Sequence, residues 1–143
     1  MSDSQRFPYV EVDPPLGAAS ALPYAPITLA LDGNVVNVPA LVDSSAALSV
    51  LPYDAGVQLG AVWEHETIAV QLAGNLANSD ARAILVMATI GQFAPVRLAF
   101  AWTRNNHVPV ILGQVNFFME FDVCFFRSQL AFEVTLKEST KDS

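Results

Sequence analysis

Apolar residues alternate with polar or small ones along much of this chain, the period of two that sets one face of a β-strand into a core. Ile27, Leu29 and Leu31 are separated by Thr28 and Ala30, Asp32-Gly33-Asn34 supplies turn residues, and Val35 to Val42 resumes the apolar run. That combination predicts a hairpin. Leu48 to Leu51 is a short extended piece ended by Pro52, and Tyr53 to Gly60 fits one or two helical turns with Gly60 as the stop. Thr67 to Leu72 alternates again and leads into Ala73 to Asp80, a tip of small and polar residues expected to be a hairpin end or a mobile loop. Ile84, Val86, Ala88 and Ile90 share one face, Gly91-Gln92 turns, and Val96, Leu98, Phe100 and Trp102 return. Val108 to Leu112 is apolar, as expected of a central strand covered on both faces. Gln114 to Glu120 is the best helix candidate, and Phe121 to Phe126 with Leu130 to Leu136 flank Arg127-Ser128-Gln129 as a last hairpin.

Five of the nine prolines fall at positions 8, 14, 15, 23 and 26, so residues 1–26 are expected to form an extended arm rather than a helix. Residues 27–136 then make one domain and residues 137–143 a polar tail. Many short strands, two or three hairpins and one short helix near the C-terminus predict a mainly β fold, a closed and largely antiparallel barrel. No repeat of solenoid period interrupts this reading.

Composition sharpens the picture in three places. With 52% hydrophobic and only 15% charged residues the chain should fold, and its charge is low for a soluble domain. The apolar excess belongs either to a buried core or to a surface that a second subunit covers. Seven Lys and Arg against fourteen Asp and Glu leave a net charge of -7, which argues against a nucleic-acid partner. One Cys and two His exclude a disulfide framework within the chain and a zinc site built from those residues. The most apolar stretch, Ala83 to Trp102, is broken by Gly91, Gln92, Pro95 and Arg97 and does not read as a membrane span. The first residues lack a basic and apolar leader, so a cytoplasmic location is expected.

Candidate chemistry is sparse. No Gly-rich phosphate loop, Gly-x-Ser-x-Gly elbow or paired-His helix is present. His65 and His107 stand among polar residues and are expected at the surface, whereas Cys124, between Val123 and Phe125, is expected to be a buried, inert thiol. Ala40-Leu41-Val42-Asp43-Ser44-Ser45-Ala46 is different. An apolar strand delivers a carboxylate into a turn of small residues, and Leu48 to Leu51 carries the chain back into apolar surroundings. Asp43 is either a turn residue accepting backbone N–H bonds or a carboxylate with a function.

Downstream, Pro109-Val110-Ile111-Leu112-Gly113 runs through a glycine into the short helix. The two segments, in this order, resemble the retropepsin-like aspartic proteases, whose marks are an Asp-Thr/Ser-Gly-Ala turn after an apolar strand and a later apolar-apolar-Gly before a helix. The resemblance spans roughly Ile27 to Leu136, and the arm beginning at Pro8-Tyr9 is similar to the N-terminal extension of bacterial members. It implies an acid-protease fold with one lobe per chain, and a homodimer that hydrolyses peptide bonds with Asp43 from each subunit as the catalytic pair. It implies no metal and no cofactor, because water attacks directly. Ser44 would be the hydroxyl residue that bonds across the dimer, Ile111, Leu112 and Gly113 would support the turn, and Ala73, Gly74, Asn75, Leu76, Ala77 and Asn78 would form the flap over an extended peptide.

One departure stands inside the motif: Ser45 occupies the place where the resemblance calls for Gly. The flap region also has only Gly74, with Asn75 and Asn78, where viral members have a glycine-rich tip. Asp122, near a familiar acidic position, is read as structural or exposed. Beside the protease reading stand a catalytically silent dimer of the same fold that binds peptides or protein partners, and an unrelated β-barrel binding module in which the Asp43 turn is structural.

Overall fold

A computed structural model describes residues 3–138, so most of the expected tail lies outside the described residues. Within the expected arm, β1 (Ser4–Pro8) pairs antiparallel with the last strand, β11 (Ala131–Leu136), from Ser4 opposite Thr135 to Pro8 opposite Ala131. A small ribbon of β2 (Val10–Glu11) and β3 (Ala21–Leu22) follows, closed by a 3₁₀ segment over Pro14–Ser20. The arm is therefore only partly extended. Pro14 and Pro15 sit at the first helical positions, where a missing N–H is not needed and the fixed φ is already helical.

The barrel begins with β4 (Tyr24–Leu31), which starts ahead of Ile27, and β5 (Asn34–Val42). Asp32 and Gly33 between them both take positive φ, 49° and 88°, in a two-residue turn whose twist matches the paired strands. The other staves are β6 (Val50–Leu51), β7 (Ala81–Ile90), β8 (Val96–Thr103) and β9 (Val110–Leu112). They close in the order β4-β5-β9-β6-β8-β7. The expected barrel is present and mainly β, but it is mixed: β5 runs parallel to β9, and β6 parallel to β8. Strand β9 enters between the two strands that flank Asp43, and a strand inserted there cannot be antiparallel to both.

Alternation places the core as expected. Ile84, Val86, Ala88 and Ile90 of β7 face Leu98, Phe100 and Trp102 of β8, all buried. Helix α1 (Tyr53–Gln58) packs against β5 and β8. The Trp102 indole stacks on Tyr53 at 5.7 Å, meets Trp63 edge-on at 5.2 Å and donates from Nε1 to the Tyr53 carbonyl at 3.1 Å. Gly56 permits this approach, since a Cβ there would collide with the indole. Helix α2 is shorter than expected, only Phe117–Glu120, and buries Phe117 against Phe121. Beyond it β10 (Phe121–Phe126) completes the sheet β1-β11-β10.

Two expectations fail. Thr67 to Leu72 is not a strand; it makes one bridge, Ala69 to Arg82, and otherwise lies as irregular chain along β7. Cys124 is exposed rather than buried. It sits on an edge strand, and the period of two turns it to the same side as exposed Asp122, opposite Glu133. His65 and His107 are exposed. Among the described residues no helix is long and apolar enough to cross a membrane.

Candidate active site

The ladder between β5 and β9 ends with Val42 opposite Leu112, and one further bond, from the Asp43 N–H to the Leu112 carbonyl at 3.0 Å, carries it into the turn. Asp43 is half-buried at the barrel's rim, while Ser44 and Ser45 are exposed. The Ala46 N–H donates to the Asp43 carbonyl at 3.2 Å and closes the turn. One carboxylate oxygen, Oδ1, accepts twice, from the Ser45 N–H at 2.9 Å and the Ser45 hydroxyl at 2.6 Å. The other oxygen has no hydrogen-bond partner among the described residues. Asp43 is thus held in a local turn with one oxygen left to act.

Three hydrogen bonds hold the turn against the segment between β9 and α2. The Gln114 and Val115 N–H groups donate to the Ala46 and Ala47 carbonyls at 2.8 and 2.9 Å, and the Gln114 side chain donates to the Ser44 carbonyl at 2.7 Å. Just before them lies Gly113, whose N–H donates to the buried Ser49 hydroxyl at 3.0 Å. A Cβ on Gly113 would stand 2.5 Å from the Leu48 carbonyl oxygen and 2.8 Å from that of Ala46. Glycine is required here for a close passage of two backbones.

A cleft of about 480 Å³ opens beside Asp43. It is bounded by Asp43, Ser45 and Ala46 together with Leu72 to Leu76, and Val108 and Ile111 add apolar wall. Among the described residues Asp43 is the one ionisable side chain bounding it. The loop over the cleft is a 3₁₀ turn, Gly74–Leu76, rather than a hairpin tip, and Gly74 takes φ 62°. A small apolar cluster of Val50, Leu72, Ala81 and Ala101 roots it, with Leu76 and Ile111 packed on the margin. The Gln71 amide ties it further, donating to the carbonyls of Leu72 and Ala77 at 3.1 and 3.0 Å.

Of the expected site residues, Asp43, Ser45, Ala46, Ala73, Gly74, Asn75, Leu76 and Ile111 meet around this cleft. Ser44, Leu112 and Gly113 stand behind the turn. Ala77 and Asn78 bound a separate cavity of about 330 Å³ beside Trp63 and Arg82. Sequence reading missed Ser49, Gln114 and Gln71. Ser49 alone carried a signal, a hydroxyl within the apolar run Leu48 to Leu51.

A closed barrel whose β5 delivers a carboxylate to its rim, with β9 inserted beside it and a loop over the cleft, is one lobe of the acid-protease fold. The chain has the retropepsin-like form of that fold. It is similar to the crystal structure of a retropepsin-like aspartic protease from Rickettsia conorii, with a TM-score of 0.64 at 11% identity over 97% of each chain. It is similar also to the retroviral protease-like domain of Ddi1 from Leishmania major, with a TM-score of 0.56 at 18% identity, covering 71% of this chain and 79% of that one. No family model matches the sequence, and no curated protein is similar to it in sequence.

Proposed function

We propose that the protein is an aspartic endopeptidase that works as a homodimer, with Asp43 of each subunit forming the catalytic pair. The observation that carries this reading is Asp43 itself: among the described residues the one ionisable group on an apolar-walled cleft, with one carboxylate oxygen unengaged, in a retropepsin-like fold. Aspartic proteolysis needs two carboxylates about 3 Å apart that share one proton. One chain offers one such turn, so the site requires a second copy across a two-fold axis. The ionised carboxylate takes a proton from water as the oxygen attacks the scissile carbonyl, and the protonated one donates to the carbonyl oxygen. Collapse of the resulting diol then expels the amine, which leaves with a proton. The loop at 72–76 would cover an extended peptide and exclude bulk water.

Ser45 supports a second reading, a silent dimer that binds peptides without cutting them. Its φ is not in the positive region, so the backbone does not demand glycine. Its hydroxyl nevertheless engages Oδ1 at 2.6 Å and so occupies one of the two carboxylate oxygens. Cleavage of a peptide library by the purified protein, lost in Asp43→Asn with the fold intact, is the expected result. Cleavage undiminished in Asp43→Asn would overturn the protease reading at this site. An inert wild type that gains cleavage as Ser45→Gly would instead establish the silent dimer.

A further inference from the structure

The outer face of β7 is more apolar than solvent exposure explains. Leu85 and Met87, which point away from the core, are 56% and 39% exposed; Ile68, bordering the same cavity as Leu85, is 67% exposed, and Val35, one strand further on β5 opposite Ala30, is 59% exposed. Ala30 and Ala99 fill the neighbouring positions on β4 and β8. Single exposed apolar side chains are ordinary, but a strip that runs across four adjacent strands, β5, β4, β7 and β8, is the kind of surface that partners cover.

Opposite charges stand on the two sides of β7 at this strip, with Glu66 and His65 bordering the cavity beside Leu85 and Ile68. Arg97 lies on β8 opposite Met87, and Asp32 follows β4 on the other side of β7, bordering the same cavity as Leu85. Both are exposed, and neither side chain has an ion-pair or hydrogen-bond partner among the described residues. They are diagonal corners of the strip. A two-fold axis lying in the face, crossing β7 near Val86 at right angles to the Arg97–Asp32 diagonal, brings each Arg97 against Asp32 of the other copy. It also lays Leu85 and Met87 on the second copy's outer face, with the strands crossing steeply as in orthogonally packed sheets. Self-complementarity of this kind is what an isologous interface requires, and it selects a second copy of this chain as the occupant.

We propose that the β7 outer face, framed by Arg97 and Asp32, is a self-association surface of this protein, separate from the contact that would join two Asp43 turns. The full chain is tested by light-scattering mass and sedimentation at about 100 µM, where an interface of micromolar Kd is populated. Leu85→Lys should lower the mass by one association step while leaving the circular dichroism spectrum unchanged. Arg97→Glu and Asp32→Lys should each raise the Kd at least tenfold, and the double variant should return it to within about threefold of wild type. Asp32 has φ 49°, so Arg97→Glu mixed with Asp32→Lys, as separate chains, supplies the rescue if the double variant folds poorly. A monomeric wild type, a Leu85→Lys protein of unchanged mass, or charge reversals without effect would overturn the proposal. Cleavage assays report on Asp43 independently.

Discussion

Replacing Gly113 with Ala tests how the Asp43 turn is held. The new Cβ would lie 2.5 Å from the Leu48 carbonyl oxygen, 2.7 Å from its carbon and 2.8 Å from the Ala46 oxygen, closer than such atoms approach in proteins. All three are backbone atoms, and their segment is pinned to the far side of Gly113 by the Gln114-to-Ala46 and Val115-to-Ala47 bonds. A flexible side chain cannot yield to relieve the clash. Overpacking of a buried site costs about 1–3 kcal/mol. Loss of one of the hydrogen bonds as the segments part adds about 1 kcal/mol. Gly113→Ala should therefore destabilise the protein by about 3 kcal/mol, read as a Tm lowered by roughly 10 °C for a domain of this size. Urea unfolding, with the slope compared between variants, gives the free energy. A loss below about 1 kcal/mol would show that the two segments part without cost and would refute the close-passage reasoning.

Ser49→Ala removes the acceptor of the Gly113 N–H inside the protein and should cost about 1–3 kcal/mol in the same urea assay. Combined with Gly113→Ala the cost should be less than the sum, because both changes act on one junction. Cleavage by the shared-proton mechanism needs one proton held between the two Asp43 carboxylates, so its rate should fall rather than rise at alkaline pH. A rate that climbs steadily to alkaline pH would contradict that mechanism.

Most of the barrel was legible because its rules are local. Alternation in β7 and β8 places each side chain inside or outside without knowledge of the partner strand, and Asp32-Gly33 forms its turn from its own backbone preferences. The same rule misled at Thr67 to Leu72, where alternation is present but an unbroken ladder partner is not. It misled differently at Cys124: apolar neighbours suggested burial, yet its position on β10 turns it to the same side as exposed Asp122, away from the core.

The sequence by itself determined that this is a β protein, that its hairpins turn where they do, and that Asp43 leaves an apolar strand into a turn of small residues. Tertiary structure alone decided what surrounds that carboxylate. The insertion of β9 between β5 and β6, the Ser49 hydroxyl under Gly113, the Gln114 amide on Ser44 and the cleft shared with Leu72 to Leu76 all join segments distant in the chain. Their partners follow from how strands close into a barrel, a cooperative choice among pairings that no local pattern encodes.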